Sequence, residues 1–162
     1  MRQGKMMIQA AVGRASFLIV AASLVVACVS VDVTKQSSVP APSSGPVKVV
    51  YHLTAGLDEA QRAIGNVRNH LSADPSAKIV VVTNGNGVEF LLEGAKDRNG
   101  NPFEVSVQEL KSRGVDFRVC NNTLTTRKID RSTVISVATI VPSGMVEAAR
   151  LQAREGFVYL RP

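Results

Sequence analysis

The sequence contains no tryptophan, and aromatic residues make up only 4 % of its 162 positions. No stretch interleaves lysine or arginine with aromatic rings, so the basic stacking platforms that hold nucleic acid have no footprint here and no nucleic acid partner is expected. Histidine and cysteine are equally scarce, two of each. One cysteine, Cys28, falls in the N-terminal hydrophobic segment, which leaves His52, His70 and Cys120, too few ligands for a protein-only metal site. Glycine-rich cofactor motifs are also missing. Gly85-Asn86-Gly87 lacks the third glycine of a dinucleotide fingerprint, and Thr54-Ala55-Gly56-Leu57 is too poor in glycine and hydroxyls to cradle phosphate. Ser143 stands in Pro-Ser-Gly rather than in a Gly-x-Ser-x-Gly elbow. No cofactor and no metal is expected.

The first residues carry Arg2, Lys5 and Arg14 without an acid, followed by an apolar run from Phe17 to Val26. This is the layout of an export signal. It runs into Val25-Val26-Ala27-Cys28, which resembles the lipobox of bacterial lipoproteins, where the cysteine is acylated and becomes the mature N-terminus. Residues 1–27 then form the signal peptide. Because Val29 and Ser30 follow, rather than aspartate, the resemblance implies the outer membrane. An uncleaved anchor is the alternative, since Ala15–Val31 is a run of seventeen apolar or small residues, at the lower limit for a bilayer span. Either way the basic end stays in the cytoplasm, the rest faces the periplasm, and the membrane is a partner through the anchor. Residues 1–27 hold three basic residues and no acid, so a total of 19 basic and 13 acidic becomes 16 and 13, and the charge falls from +6 to +3. Residues 28–46 are rich in Ser, Pro, Thr, Ala and Val and read as a tether, with a full reach of about 60 Å.

Residues 47–162 have the length of one domain with its own core. Val47–Leu53 and Lys78–Thr83 are β-branched runs apolar on both faces, the pattern of parallel strands covered by helices. Between them Leu57–Leu71 shows an apolar stripe with Asp58 and Glu59 in its first turn, an amphipathic helix. After the turn at Asn84–Gly87, a short helix is expected at Val88–Ala95 and a longer one at Phe103–Arg113. Gly114 caps the latter and a strand follows at Val115–Val119. A short helix near Thr123–Ile129, a strand at Val134–Val141 and a helix at Met145–Arg154 complete the series, before a last strand at Phe157–Leu160. Met145, Ala148, Ala149 and Leu151 form the apolar stripe of that helix. Strand and helix alternate throughout, which predicts right-handed crossovers, a mainly parallel sheet and a three-layer α/β/α sandwich.

In such a sheet the C-terminal strand ends share one edge, and here that edge carries His52, Asn84, Cys120 and the Pro142-Ser143-Gly144 turn. Cys120 is the candidate nucleophile. The N–H groups of Asn121, Asn122 and Thr123 follow it, and Arg118 and Arg127 are near in sequence, so a thiolate is favoured. The alternatives are a buried, inert cysteine in an oligomeric interaction module of the cell envelope, or a small-ligand binder that uses the same sheet edge. Two strand orders give different neighbours. If the strands of His52 and Cys120 are adjacent, imidazole and thiol form a pair; if a strand separates them, Asn84 and Ser143 flank the thiol.

Lys-Val-Val-Tyr-His-Leu at 48–53, Gly-Val-Asp-Phe-Arg-Val-Cys-Asn-Asn-Thr-Leu at 114–124 and Val-Pro-Ser-Gly-Met-Val-Glu-Ala-Ala-Arg-Leu from 141 to 151 resemble the DsrE/DsrF-like sulfur-relay family. The resemblance continues to the C-terminus and covers nearly all of residues 47–162. It implies a five-stranded parallel sheet, assembly into homotrimers or hexamers, and a cysteine that carries sulfur as a persulfide, matched here by Cys120. It also implies a thiol or persulfide protein as partner. With no second cysteine in the domain, Cys120 must exchange with another molecule.

Overall fold

The computed structural model describes residues 45–162; the signal segment, Cys28 and all but the end of the tether lie outside the described residues. Five strands, β1 (Lys48–Leu53), β2 (Lys78–Thr83), β3 (Asp116–Cys120), β4 (Thr139–Val141) and β5 (Val158–Leu160), form one sheet in the order β4-β3-β2-β1-β5. All four pairings are parallel. Four α-helices flank it: α1 (Leu57–Ala73), α2 (Phe103–Ser112), α3 (Asn121–Thr126) and α4 (Gly144–Glu155). The fold is the expected α/β class, with a sheet that is parallel throughout.

Strand order dictates how the two faces are covered. From β1 to β4 the chain steps in one direction across the sheet, so right-handed crossovers put the intervening segments on a single face. The step from β4 to β5 reverses direction, and α4 must therefore cover the opposite face alone. The cores reflect this. On the first face 22 buried side chains, among them Ile64, Phe90, Leu110, Phe117 and Leu124, form one cluster; under α4 there are five, Val50, Val80, Val82, Ala148 and Leu151. A fully buried aliphatic side chain contributes about 1.5–3 kcal/mol, so apolar burial holds α4 less firmly than it holds α1 and α2. Ion pairs supplement it. The guanidinium of Arg118 on β3 bridges Asp116 (2.8 Å) and Glu147 of α4, and Glu147 also meets Arg150 (2.7 Å).

Several expectations are corrected. The segment at 85–91 is a 3-10 helix, shifted toward Asn84 from the helix expected at Val88–Ala95. Only Thr139–Val141 of the strand predicted at Val134–Val141 joins the sheet; Arg131–Thr133 is a 3-10 turn, and Val134 makes an isolated antiparallel bridge to Leu92. In α4 the buried stripe is Gly144, Ala148 and Leu151, while Met145 and Ala149 face outward. Three residues over two turns, one of them glycine, fill that smaller face. Glu59, read as a first-turn charge, is buried and accepts the N–H groups of Thr54 (2.5 Å) and Ala55 (2.6 Å), so it stitches the β1–α1 loop together.

The glycine pair after β2 has a steric cause. A Cβ on Gly87 would lie 2.2 Å from the Leu53 carbonyl oxygen, because the 3-10 helix crosses directly over the end of β1. Substituting Gly87→Ala is expected to lower stability by about 1–3 kcal/mol, the usual cost of forcing atoms into a packed site. Urea denaturation checks this, and an unchanged midpoint would show that the crossing is looser than described.

Candidate functional site

Adjacent strands whose following connections leave toward opposite faces open a crevice at their C-terminal ends. In this sheet that condition is met between β3, which continues into α3 with Leu124 in the larger core, and β4, which continues into α4 on the other face. Cys120 is the last residue of β3 and pairs with Val141, the last of β4. The cysteine therefore stands at the switch point of the fold. A pocket of about 410 Å³ opens there, lined by Cys120 together with Asn84, Thr123, Arg127, Ser143 and Met145, among others.

Register brings the flanking residues in. Thr83 pairs with Val119, so one position further on Asn84 lies beside Cys120, and both project toward the α4 face. β2 separates β1 from β3, so the direct Cys120–His52 pair is not formed; the second strand order considered above holds, with Asn84 and the Ser143 turn flanking the thiol. His52 is buried and bonds Asn84 instead, Nε2 to Oδ1 at 2.9 Å, while its Nδ1 meets the Tyr159 hydroxyl at 3.0 Å. Burial keeps the imidazole pKa below its ordinary value, against the opposing pull of the Asn84 bond and Glu59. Ser143 is engaged as well. Its hydroxyl oxygen accepts the Val146 N–H at 3.4 Å and caps α4, so it serves the helix rather than the thiol.

The residue that shapes the site most is Gly144. A Cβ there would lie 2.9 Å from the Thr83 carbonyl oxygen, 3.2 Å from the Cys120 Cβ and 3.3 Å from the Asn84 Cβ. Only a residue without a side chain lets α4 start this close to the sulfur. The result is electrostatic. Burial pushes the thiol pKa up, but the N–H of Gly144, the hydroxyl and N–H of Thr123 and the N–H of Asn122 outweigh it and bring it below that of an ordinary cysteine. Thr123 is oriented for this, since its oxygen accepts the Gly85 N–H at 3.0 Å and leaves its proton for the sulfur. The arginines expected to help are occupied elsewhere: Arg118 by Asp116 and Glu147, Arg127 by Glu89 at 2.7 Å and the Gly85 carbonyl at 3.1 Å. Arg127 nevertheless lines the pocket. Cys120 itself is 4 % exposed, more enclosed than a strand end opening onto polar residues suggests.

Gly144 and Thr123 were visible in the sequence as a helix start and a residue after the cysteine, but their part depends on a strand order that no local pattern encodes. Tyr159, which completes the His52 contact, carried no local signal. Among the described residues no group of three or more His, Cys, Asp and Glu side chains could hold a metal ion.

Gly144→Ala is expected to move the start of α4 off the sulfur and remove its N–H from the thiolate. The midpoint of the pH profile for iodoacetamide alkylation of Cys120 then rises, and the rate at neutral pH falls several-fold. A midpoint unchanged in the variant would assign the low pKa to α3 alone.

The DsrE/DsrF-like family model matches residues 48–161. A solved protein of unknown function, MTH1491 from Methanobacterium thermoautotrophicum, is 31 % identical, with 72 % of this chain and 99 % of that one covered and a TM-score of 0.63. The ychN protein from E. coli, at 15 % identity, shares the fold over 73 % of this chain and 99 % of its own with a TM-score of 0.58. No functionally curated protein matches. With the family match spanning every strand and helix of the sheet, the chain belongs to the DsrE/DsrF-like family.

Proposed function

We propose that this protein carries sulfane sulfur as a persulfide on Cys120, in the periplasm, as a lipid-anchored relay. The single observation that supports this most is the low-pKa thiol set among amide donors at the switch point of the sheet. Family membership agrees with it. The chemistry is balanced by two thiols. The Cys120 thiolate attacks the outer sulfur of a donor persulfide, R–S–SH. A new S–S bond forms as the donor's S–S bond breaks, and the departing R–S⁻ takes up the persulfide proton to leave as R–SH. Cys120–S–S⁻ remains, and an acceptor thiolate reverses the step by taking that outer sulfur. No external oxidant or reductant enters. Donors that favour the thiolate also favour the persulfide anion, which carries its charge one bond further out.

Partners follow from the same reading. The donor and acceptor are thiol or persulfide proteins, because the domain has no other cysteine. A homotrimer or hexamer is supported by exposed apolar side chains on two neighbouring elements, Met145 and Val146 on α4 and Val158, Tyr159 and Leu160 on β5. Acylation at Cys28 would hold the domain at the envelope, the outer membrane being favoured by Val29 and Ser30. The 4 % exposure of Cys120 favours a second reading, a non-catalytic interaction module with an inert thiol.

Incubation with polysulfide followed by intact mass spectrometry separates the two. The carrier reading expects a gain of one sulfur atom in the parent and none in Cys120→Ser. An unreacted parent, or a gain that survives the substitution, favours the inert module. Radiolabelled palmitate fed to expressing bacterial cells should enter the full chain and be lost in Cys28→Ser; label retained by the variant would contradict the lipid anchor.

A further inference from the structure

A polar row crosses four strands on the α4 face. Val50 pairs with Tyr159, His52 with Val82, and Thr83 with Val119, so Tyr159, His52, Asn84 and Cys120 all project toward α4, one each from β5, β1, the end of β2 and β3. Each neighbouring pair up to Asn84 is joined: Tyr159 hydroxyl to His52 Nδ1 at 3.0 Å, His52 Nε2 to Asn84 Oδ1 at 2.9 Å. The rings of His52 and Tyr159 also meet edge to face at 5.7 Å. His52 is 3 % exposed. A buried neutral imidazole has one N–H and one lone pair in its plane. Because Asn84 Oδ1 can only accept, Nε2 carries the proton, and Nδ1 accepts from the Tyr159 hydroxyl.

This fixes the other end of the Asn84 carboxamide. With Oδ1 committed to His52, its NH₂ group is turned away from β1, and among the described residues Nδ2 has no hydrogen-bond partner. Every buried polar side-chain atom among them does have one, so this NH₂ is in contact with solvent, and Asn84 lines the Cys120 pocket. Asn84 is not among the donors that lower the thiol pKa, which are Gly144, Thr123 and Asn122. A donor beside the sulfur that leaves the sulfur itself alone is set for an atom attached to it.

We propose that Asn84 is the binding group for a hydrogen-bond acceptor attached to Cys120 Sγ, and that His52, fixed in turn by Tyr159, is the positioning residue that keeps the carboxamide NH₂ turned into the pocket. Under the persulfide reading, on which the identity of that acceptor rests, it is the outer sulfur anion. The inference deepens that reading by separating two sets of donors, one for the thiolate and one for its adduct. The orientation of the Asn84 carboxamide, fixed by His52, then decides how well anionic adducts are held.

The test compares alkylation of Cys120 by iodoacetate, which brings a carboxylate next to the sulfur, with alkylation by the neutral iodoacetamide. In Asn84→Leu the iodoacetate-to-iodoacetamide rate ratio is expected to fall about fivefold, the size of one hydrogen bond, while the iodoacetamide pH midpoint stays where it is in the parent. His52→Leu should give the same fall and His52→Gln, which keeps a donor for Oδ1, should restore most of it. If His52→Leu does not fold, nitrogen NMR of the labelled parent reads the tautomer directly. Protonation at Nε2 supports the inference and protonation at Nδ1 overturns it. A ratio unchanged in Asn84→Leu, or a ratio that falls only because the midpoint moves, also overturns it. Neither readout requires a persulfide, so a parent that takes no sulfur from polysulfide defeats the carrier reading and leaves this one to be decided by the rates.

Discussion

The approach of the α4 start to the Cys120 sulfur is the contact around which the rest of the molecule is arranged. It requires the β4–α4 connection to pass over the end of β3, which the reversal of strand order supplies. It requires a residue without a side chain at 144, since three atoms crowd the place where a Cβ would stand. It requires the helix end to be capped and held down, and Ser143 does the first while the Arg118–Glu147 pair does the second. The small apolar cluster under α4 would hold the helix less well alone. Burial of a thiol ordinarily makes it inert; here the same burial brings backbone amides to the sulfur, and their combined pull is the larger effect.

Much of this was legible in the sequence. The two-sided apolar runs at Val49–Leu53 and Ile79–Thr83 identified central parallel strands, and the stripe through Ala60, Ile64, Val67 and Leu71 identified α1, because periodicity reflects burial directly. The residues of the C-terminal edge could also be named in advance. What could not be read was their order across the sheet, which depends on packing between elements far apart in the chain. That is why His52 stood as a possible partner of the thiol and is instead one strand removed, acting on Asn84. β5 was found within a residue of its expected place, whereas β4 is much shorter than expected. Its three residues are too few for a period, and Val134 and Ile135, although apolar, are drawn into the loop that packs against Leu91 and Leu92. Glu59 shows the same limit in reverse: its position in a first helical turn fitted the helix dipole, and nothing local marked it as buried.

A lone reactive thiol suits an exchange between molecules better than chemistry completed within one chain. With no other cysteine among the described residues, an adduct formed on Cys120 would persist until a second thiol reached the pocket. The sulfur is enclosed, so a partner thiol would have to reach it through the pocket. Enclosure also limits access of larger oxidants to the sulfur. Of the exposed apolar residues only Met145 of α4 lines the pocket, so assembly of copies over the start of α4 would shape the route by which a partner thiol enters.

At Cys120 the hydrogen-bond donors outweigh burial. Titration of the thiolate by its ultraviolet absorbance, with Cys120→Ser as the blank, measures it without any reagent having to enter the pocket. The midpoint is expected below that of an ordinary cysteine thiol. A midpoint at or above that value would mean that burial prevails, and the structure would then hold an inert sulfur in a well-built pocket.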